Sequence, residues 1–276
     1  MLCYLLWVDG DSILHEKGLV IAVSGKGGVG KTTTTALMAK ILSESNPERS
    51  ILVIDANPDS NLADVLGIPA ARTVGMVTDD LKKSLEKSEI PPTMTKEDIL
   101  ETRIFEILRE TSGFDLLVMG RGEGEGCYCP VNAFLAHIID RLIKNYDVTL
   151  MDMEAGLEHL SRRTDRDVDV MMVVTDPSSM GLQTAKRVKE VAKEVHIDFK
   201  KFYLVGNRFK PEMEPMLKNE AQKLEYEYVG IIPTDENVFT YNLNGKPLLN
   251  LPAETLAIPA VRQILTRIGL LDLGKL

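Results

Sequence analysis

Gly25-Lys26-Gly27-Gly28-Val29-Gly30-Lys31-Thr32 fills the phosphate-binding pattern G-x-x-x-x-G-K-[ST] and carries an additional lysine, Lys26, near its start. Glycines let several backbone N–H groups converge into a concave nest, and the helix that follows adds partial positive charge. Gly27, Gly28, Val29, Gly30, Lys31, Thr32 and Thr33 are therefore expected to cradle a nucleotide. Lys31 is expected to reach the β and γ phosphates, and the Thr32 hydroxyl to ligate Mg²⁺. A second stretch, Gly122-Glu-Gly-Glu-Gly-Cys127-Tyr-Cys129-Pro130, places two thiols one residue apart in a glycine-rich loop. A disulfide between such close thiols would be strained, whereas soft metal ions bind thiolates readily.

Each loop needs a scaffold. The apolar run Leu19–Ser24 precedes the first loop as a strand, and Thr33–Ser43 follows it as a helix. A second strand, Ile51–Ile54, ends in Asp55 and leads into the turn-rich stretch 56–64, which contains Asp59. A helix is expected over 81–88, broken by Pro91-Pro92. Leu116–Met119 reads as a buried strand that opens into the cysteine loop, with a helix over 131–146 behind it. Val148–Met151 is a further strand, ending in Asp152.

The second half repeats the alternation. Strands are expected at 170–174, 202–205 and 228–232, and helices at 181–195, 212–224 and 253–268. Strands alternating with helices and apolar on both faces imply a single α/β domain with a mainly parallel sheet flanked by helices. Ligands of such sheets bind at the carboxyl ends of the strands. Asp55, Asp59 and Asp152 fall at those ends, as carboxylates that can support Mg²⁺ or orient water near a γ phosphate.

The chain has 276 residues, is 44% hydrophobic and carries a formal net charge of -9, values that suit one large folded domain. An acidic balance argues against nonspecific nucleic-acid binding. The apolar start Leu2–Val8 is too short to span a bilayer and lacks the flanks of a signal peptide, so the protein is read as cytoplasmic, with residues 1–18 as a leader and 19–276 as the domain. The end of the chain, 263–276, has apolar content but little positive charge, so no stable membrane association is expected.

The K-G-G-V-G-K-T-T loop together with Asp55-Ala-Asn-Pro-Asp59 resembles the deviant P-loop ATPases, which include the nitrogenase iron protein and the cell-division and plasmid-partition ATPases. The resemblance implies a P-loop NTPase fold and an ATP-driven homodimer in which Lys26 reaches across to the partner's nucleotide. It also implies an adenine pocket formed by Asn207 and Arg208 with the turn Ile232-Pro233-Thr234-Asp235. One chain offers two neighbouring thiolates, and two chains offer the four that a closed soft-metal site favours.

The P-loop, the Cys-Tyr-Cys loop and the run Asp152–Thr164 together resemble the nickel-insertion ATPases of carbon monoxide dehydrogenase maturation, the CooC family. That resemblance implies Ni²⁺ or Zn²⁺ held between paired Cys127 and Cys129, and carbon monoxide dehydrogenase or acetyl-CoA synthase as client. Gly156 would permit motion where the γ phosphate is sensed. In the same run His159 is a possible ligand, with an interface hydrogen bond the favoured reading. Two alternatives stand beside this one. An iron protein with a shared [4Fe-4S] cluster would want another cysteine where this chain has Leu157-Glu158-His159-Leu160. A positioning ATPase acting on membrane or DNA would use the same nucleotide chemistry without the metal.

Overall fold

A computed structural model describes residues 18–87, 95–121, 130–154, 168–194 and 199–272. The leader, Gly156, His159, Cys127 and Cys129 lie outside the described residues. The chain alternates strands β1 (Leu19–Ser24), β2 (Ile51–Asp55), β3 (Arg109–Glu110), β4 (Asp115–Val118), β5 (Val148–Asp152), β6 (Val170–Thr175), β7 (Lys201–Asn207) and β8 (Glu227–Ile232) with helices. The helices are α1 (Lys31–Ser45), α2 (Asn61–Leu66), α3 (Val74–Glu86), α4 (Lys96–Ile107), α5 (Pro130–Ile143), α6 (Ser179–Glu194), α7 (Glu214–Lys223), α8 (Glu236–Leu243) and α9 (Ala257–Arg267). The strands form one sheet in the order β3-β4-β2-β5-β1-β6-β7-β8, parallel throughout except for the short antiparallel edge pair β3 and β4.

Alternation within the strands divides the interior into two cores. Val20, Ala22, Leu52 and Ile54 face a layer that includes Leu81 of α3, Leu100 of α4, Ile139 of α5, Val188 of α6 and Leu217 of α7. Leu19, Ile21, Val23, Ile51 and Val53 face the other, with Leu37 and Ile41 of α1, Leu62 of α2 and Val261 of α9. Burial on both faces explains why the central strands are continuous apolar runs. Met151, Met171 and Met172 are core residues of these strands.

Several boundaries differ from the sequence reading, each for a local reason. The helix expected at 81–88 begins at Val74, because the Thr73 hydroxyl caps it by accepting from Met76 N. Helix α4 was not among the expected elements, although Thr95 and Asp98 form a capping box at its start. The stretch 56–64 contains the beginning of α2. The last helix starts at Ala257 rather than Ala253, since Thr255 N closes a turn on Pro252 O. Among the described residues no helix is long and apolar enough to cross a membrane.

Candidate functional site

The loop between β1 and α1 contains three glycines with positive φ, Gly25, Gly28 and Gly30, of which the first and last are also closely packed. Gly25 has φ 146°, and a Cβ there would sit 2.2 Å from Val174 O; Gly30 has φ 96°, and a Cβ there would sit 2.3 Å from Asn207 Nδ2. Neither position can take a side chain without displacing a neighbour. Val29 between them is fully buried and anchors the loop to the core. Gly30 supplies no side-chain cap to α1, so the first-turn N–H groups of a 15-residue helix are left for an anion.

The opposite wall comes from β7. Asn207 Nδ2 donates to Val29 O at 2.6 Å, and Arg208 donates from Nη2 to Gly28 O at 2.8 Å. Both residues thus hold loop carbonyls, whichever other contacts they make. Arg208 itself adopts φ 61°, with its N–H donated to Ile232 O at 2.8 Å. Pro233 follows directly on β8, and Asp235 behind it is buried. Its carboxylate accepts from Asn237 N and Val238 N through one oxygen and from Ala257 N through the other. The Asp235 side chain therefore fastens the starts of α8 and α9 rather than lying open to a base.

The acidic side of the site depends on register. Parallel pairing of β2 with β5 sets Asp55 directly beside Asp152. Both carboxylates are fully buried. Asp152 Oδ2 accepts from the Thr32 hydroxyl at 2.6 Å, while its Oδ1 is buried with no hydrogen-bond partner among the described residues. Burial, with Asp55 nearby, pushes Asp152 up to about 7 against the opposing pull of the Thr32 bond and Lys31. Burial also raises Asp55 to about 6, although the N–H groups of Leu62 and Asn57 stabilise its charge. Those two bonds fix the start of the loop that carries Asp59.

Lys31 is buried, its Nζ donating to Lys26 O at 3.3 Å across the loop. Burial lowers its pKa, with Asp152 and then Glu154 opposing. A buried cation, a hydroxyl and an orphaned carboxylate oxygen fit the Mg²⁺ that accompanies a nucleoside triphosphate, with Thr32 and Asp152 as the groups that would hold it. Lys26 is half-buried, and among the described residues its ammonium makes no ion pair.

Residues 20–248 match the CobQ/CobB/MinD/ParA nucleotide binding domain. The chain belongs to that family. An uncharacterized ATP-binding protein of Methanocaldococcus jannaschii is 51% identical over 250 residues, covering 91% of this chain and 98% of the relative. The carbon monoxide dehydrogenase accessory protein CooC of Rhodospirillum rubrum is 36% identical over 186 residues, 64% of this chain and 70% of CooC. Among solved structures, a ParA family ATPase from Chlorobium tepidum superposes with a TM-score of 0.67 at 18% identity, covering 88% of this chain and 97% of that one. The cell division ATPase MinD of Pyrococcus furiosus gives 0.62 at 23%, covering 91% and 98%. The family confirms the fold class and makes this an ATP-binding chain.

Asp59 stands in the loop that follows β2. It lies at the surface, 2.6 Å from Arg121 Nη2, in an ion pair that sequence reasoning did not foresee. Arg121 stands at the root of the segment that carries the two cysteines. That root is held a second time, by Met119 N donating to Asp55 O at 2.9 Å. Among the described residues no group of three or more His, Cys, Asp or Glu side chains could hold a metal ion. His137 is an exposed residue of α5.

Proposed function

We propose that the protein is an ATP-hydrolysing metallochaperone that delivers nickel during maturation of carbon monoxide dehydrogenase, or of acetyl-CoA synthase as the alternative client. The observation that carries the reading is the double attachment of the Cys127 and Cys129 segment root to Asp55 and Asp59, beside Asp152. A change at the γ-phosphate end of the site is thereby one or two contacts from Met119 and Arg121, which precede the thiols in sequence. The similarity to CooC supports the choice of cargo.

In this mechanism ATP binds with its phosphates on the Gly25–Thr33 loop and Lys31 neutralises charge between the β and γ groups. Mg²⁺ would supply further neutralisation of the phosphate oxygens. Lys26 of each subunit completes the other's site, so ATP joins two copies into a homodimer. Cys127 and Cys129 of both subunits then surround one Ni²⁺ or Zn²⁺. Asp55 and Asp59 position the water that attacks the γ phosphorus; the bond to ADP breaks, and ADP and phosphate leave. Loss of the γ phosphate loosens the dimer, with Gly156 absorbing the backbone change, and the metal passes to the client. By linkage, metal must favour the closed dimer as much as the closed dimer favours metal.

Light-scattering mass and bound-metal analysis test this on wild type and the Cys127→Ser/Cys129→Ser variant, with and without ATP and Ni²⁺. One nickel per ATP-dependent dimer, lost in the variant, is the expected result. A metal-free dimer identical in both proteins would instead favour a positioning ATPase. That second reading draws on the Septum site-determining protein MinD of Helicobacter pylori, which is 28% identical across 86% of this chain, a longer span than CooC covers.

A further inference from the structure

A cleft of about 380 Å³ lies between α3 and α4, away from the nucleotide loop, and its wall is unusually basic for an acidic chain. Arg72, Lys83, Lys87 and Arg103 line it, opposed by Asp80 and Glu106. The whole protein carries 41 acidic residues against 32 Lys and Arg, so cations that gather here had ample acidic partners available elsewhere.

Of the four cations, only Arg72 is paired among the described residues, with Asp80. Lys83, Lys87 and Arg103 form no ion pair among the described residues. Lys83 and Lys87 stand one helical turn apart, an arrangement of like charges that destabilises a helix by a few tenths of a kcal/mol. Arg103 lines the cleft from α4 and is half-buried, its guanidinium making no hydrogen bond or ion pair among the described residues. Three concentrated, unneutralised cations impose a local repulsion that a bound anion would relieve.

We propose that this cleft binds a small phosphate-bearing anion at a site separate from the ATP site. The volume lies within the range of small-molecule sites. The four cations and two carboxylates leave a surplus of two positive charges, which matches a phosphate monoester dianion at neutral pH. Arg103 supplies a planar fork for paired phosphate oxygens, and Lys83 and Lys87 supply point charges beside it. Asp80 steers Arg72 through their ion pair, and Glu106 on the wall disfavours ligands carrying a larger negative charge spread over the whole cleft. The occupied site would also join α3 to α4. The first of these helices begins where Gly75 N donates to Met119 O at 2.9 Å, on the strand end that leads to Arg121.

The test uses the full chain with its P-loop filled by excess MgADP, and inorganic phosphate as the probe, followed by calorimetric titration. Saturable binding of one phosphate per chain is expected, weakened at least fivefold by Arg103→Gln and by Lys83→Gln, and weakened by added salt. Lys83 is exposed, so Lys83→Gln keeps the test valid if Arg103→Gln unfolds the protein. Succinate, a carboxylate dianion, in place of phosphate separates the chemistry: binding at least tenfold weaker supports a phosphate site, and equal binding overturns the phosphate preference. Absence of binding once the P-loop is filled, or binding unchanged in Lys83→Gln, overturns the site itself.

Discussion

The two sides of the nucleotide site are built on opposite physical principles. On the donor side a surface loop is held by its backbone: glycines bend it, Asn207 and Arg208 grip its carbonyls, and the start of α1 carries no side-chain cap. On the acceptor side two carboxylates are buried at neighbouring strand ends, where removal from water raises the pKa of both. The first side is ready for an anion because the first-turn donors of α1 are uncapped. The second is strained by its own charge until a cation arrives. A divalent ion carried by a triphosphate answers both conditions at once.

Substitutions on the donor side should have the largest effect. Gly30→Ala forces a Cβ against Asn207 at a backbone angle that L residues avoid, and calorimetry should show MgATP affinity reduced at least about 100-fold. Lys31→Ala should abolish binding to a similar degree and with it the ATP-dependent nickel uptake, while leaving the thiols themselves reactive towards a thiol reagent.

The acceptor side should behave in the opposite sense when empty. Asp152→Asn should reduce ATP hydrolysis by about 100-fold or more, yet stabilise the nucleotide-free protein by about 2 kcal/mol at pH 8. The sign follows from the raised values near 6 and 7, against an unfolded value of 3.8 for an aspartate. Between about pH 4 and 7 the native state holds more protons than the unfolded one, so stability falls as pH rises through that window. Urea midpoints measured from pH 5 to 8 should decline in wild type and decline less in Asp152→Asn. A wild-type midpoint that rose across this range would contradict the buried-carboxylate description.

Smaller effects sharpen the contrast. Asn207→Ala removes a buried donor from Val29 O and should weaken nucleotide binding roughly tenfold, in keeping with a lost bond of about 1 to 2 kcal/mol. Arg121→Ala breaks an exposed ion pair and should shift chemical-denaturation stability by less than about 0.5 kcal/mol. Any effect of Arg121→Ala on metal stoichiometry would then report coupling rather than folding.

The donor side was legible in the sequence because its information is local. A strand, a glycine loop and a helix stand consecutively, and their residues contact one another across a few positions. The same locality made the buried strands readable as apolar runs. Asp55 and Asp152 were visible as strand ends, but their adjacency depends on which strands pair and in what register. The grip of Asn207 and Arg208 on the loop spans about 180 residues of sequence, beyond the reach of any spacing rule. Helix α2 escaped for a related reason, since its Leu62 N–H is capped from the end of a strand rather than by a neighbouring residue. Helix α4 did carry readable signs, Thr95 followed by Asp98 and the buried Leu100, Ile104 and Ile107 at helical spacing, within an otherwise charged stretch.

Asp235 gives the C-terminal part of the molecule a property of its own. One carboxylate closes the start of α8 and, through its other oxygen, the start of α9, so neither helix can fray at that end without disturbing the other. Helix α9 in turn packs on α1, the helix that rises from the phosphate loop. In hydrogen exchange the opening helical turns of α8 and α9 should therefore lose protection together, as one cooperative unit, and nucleotide binding at the far end of α1 should slow both.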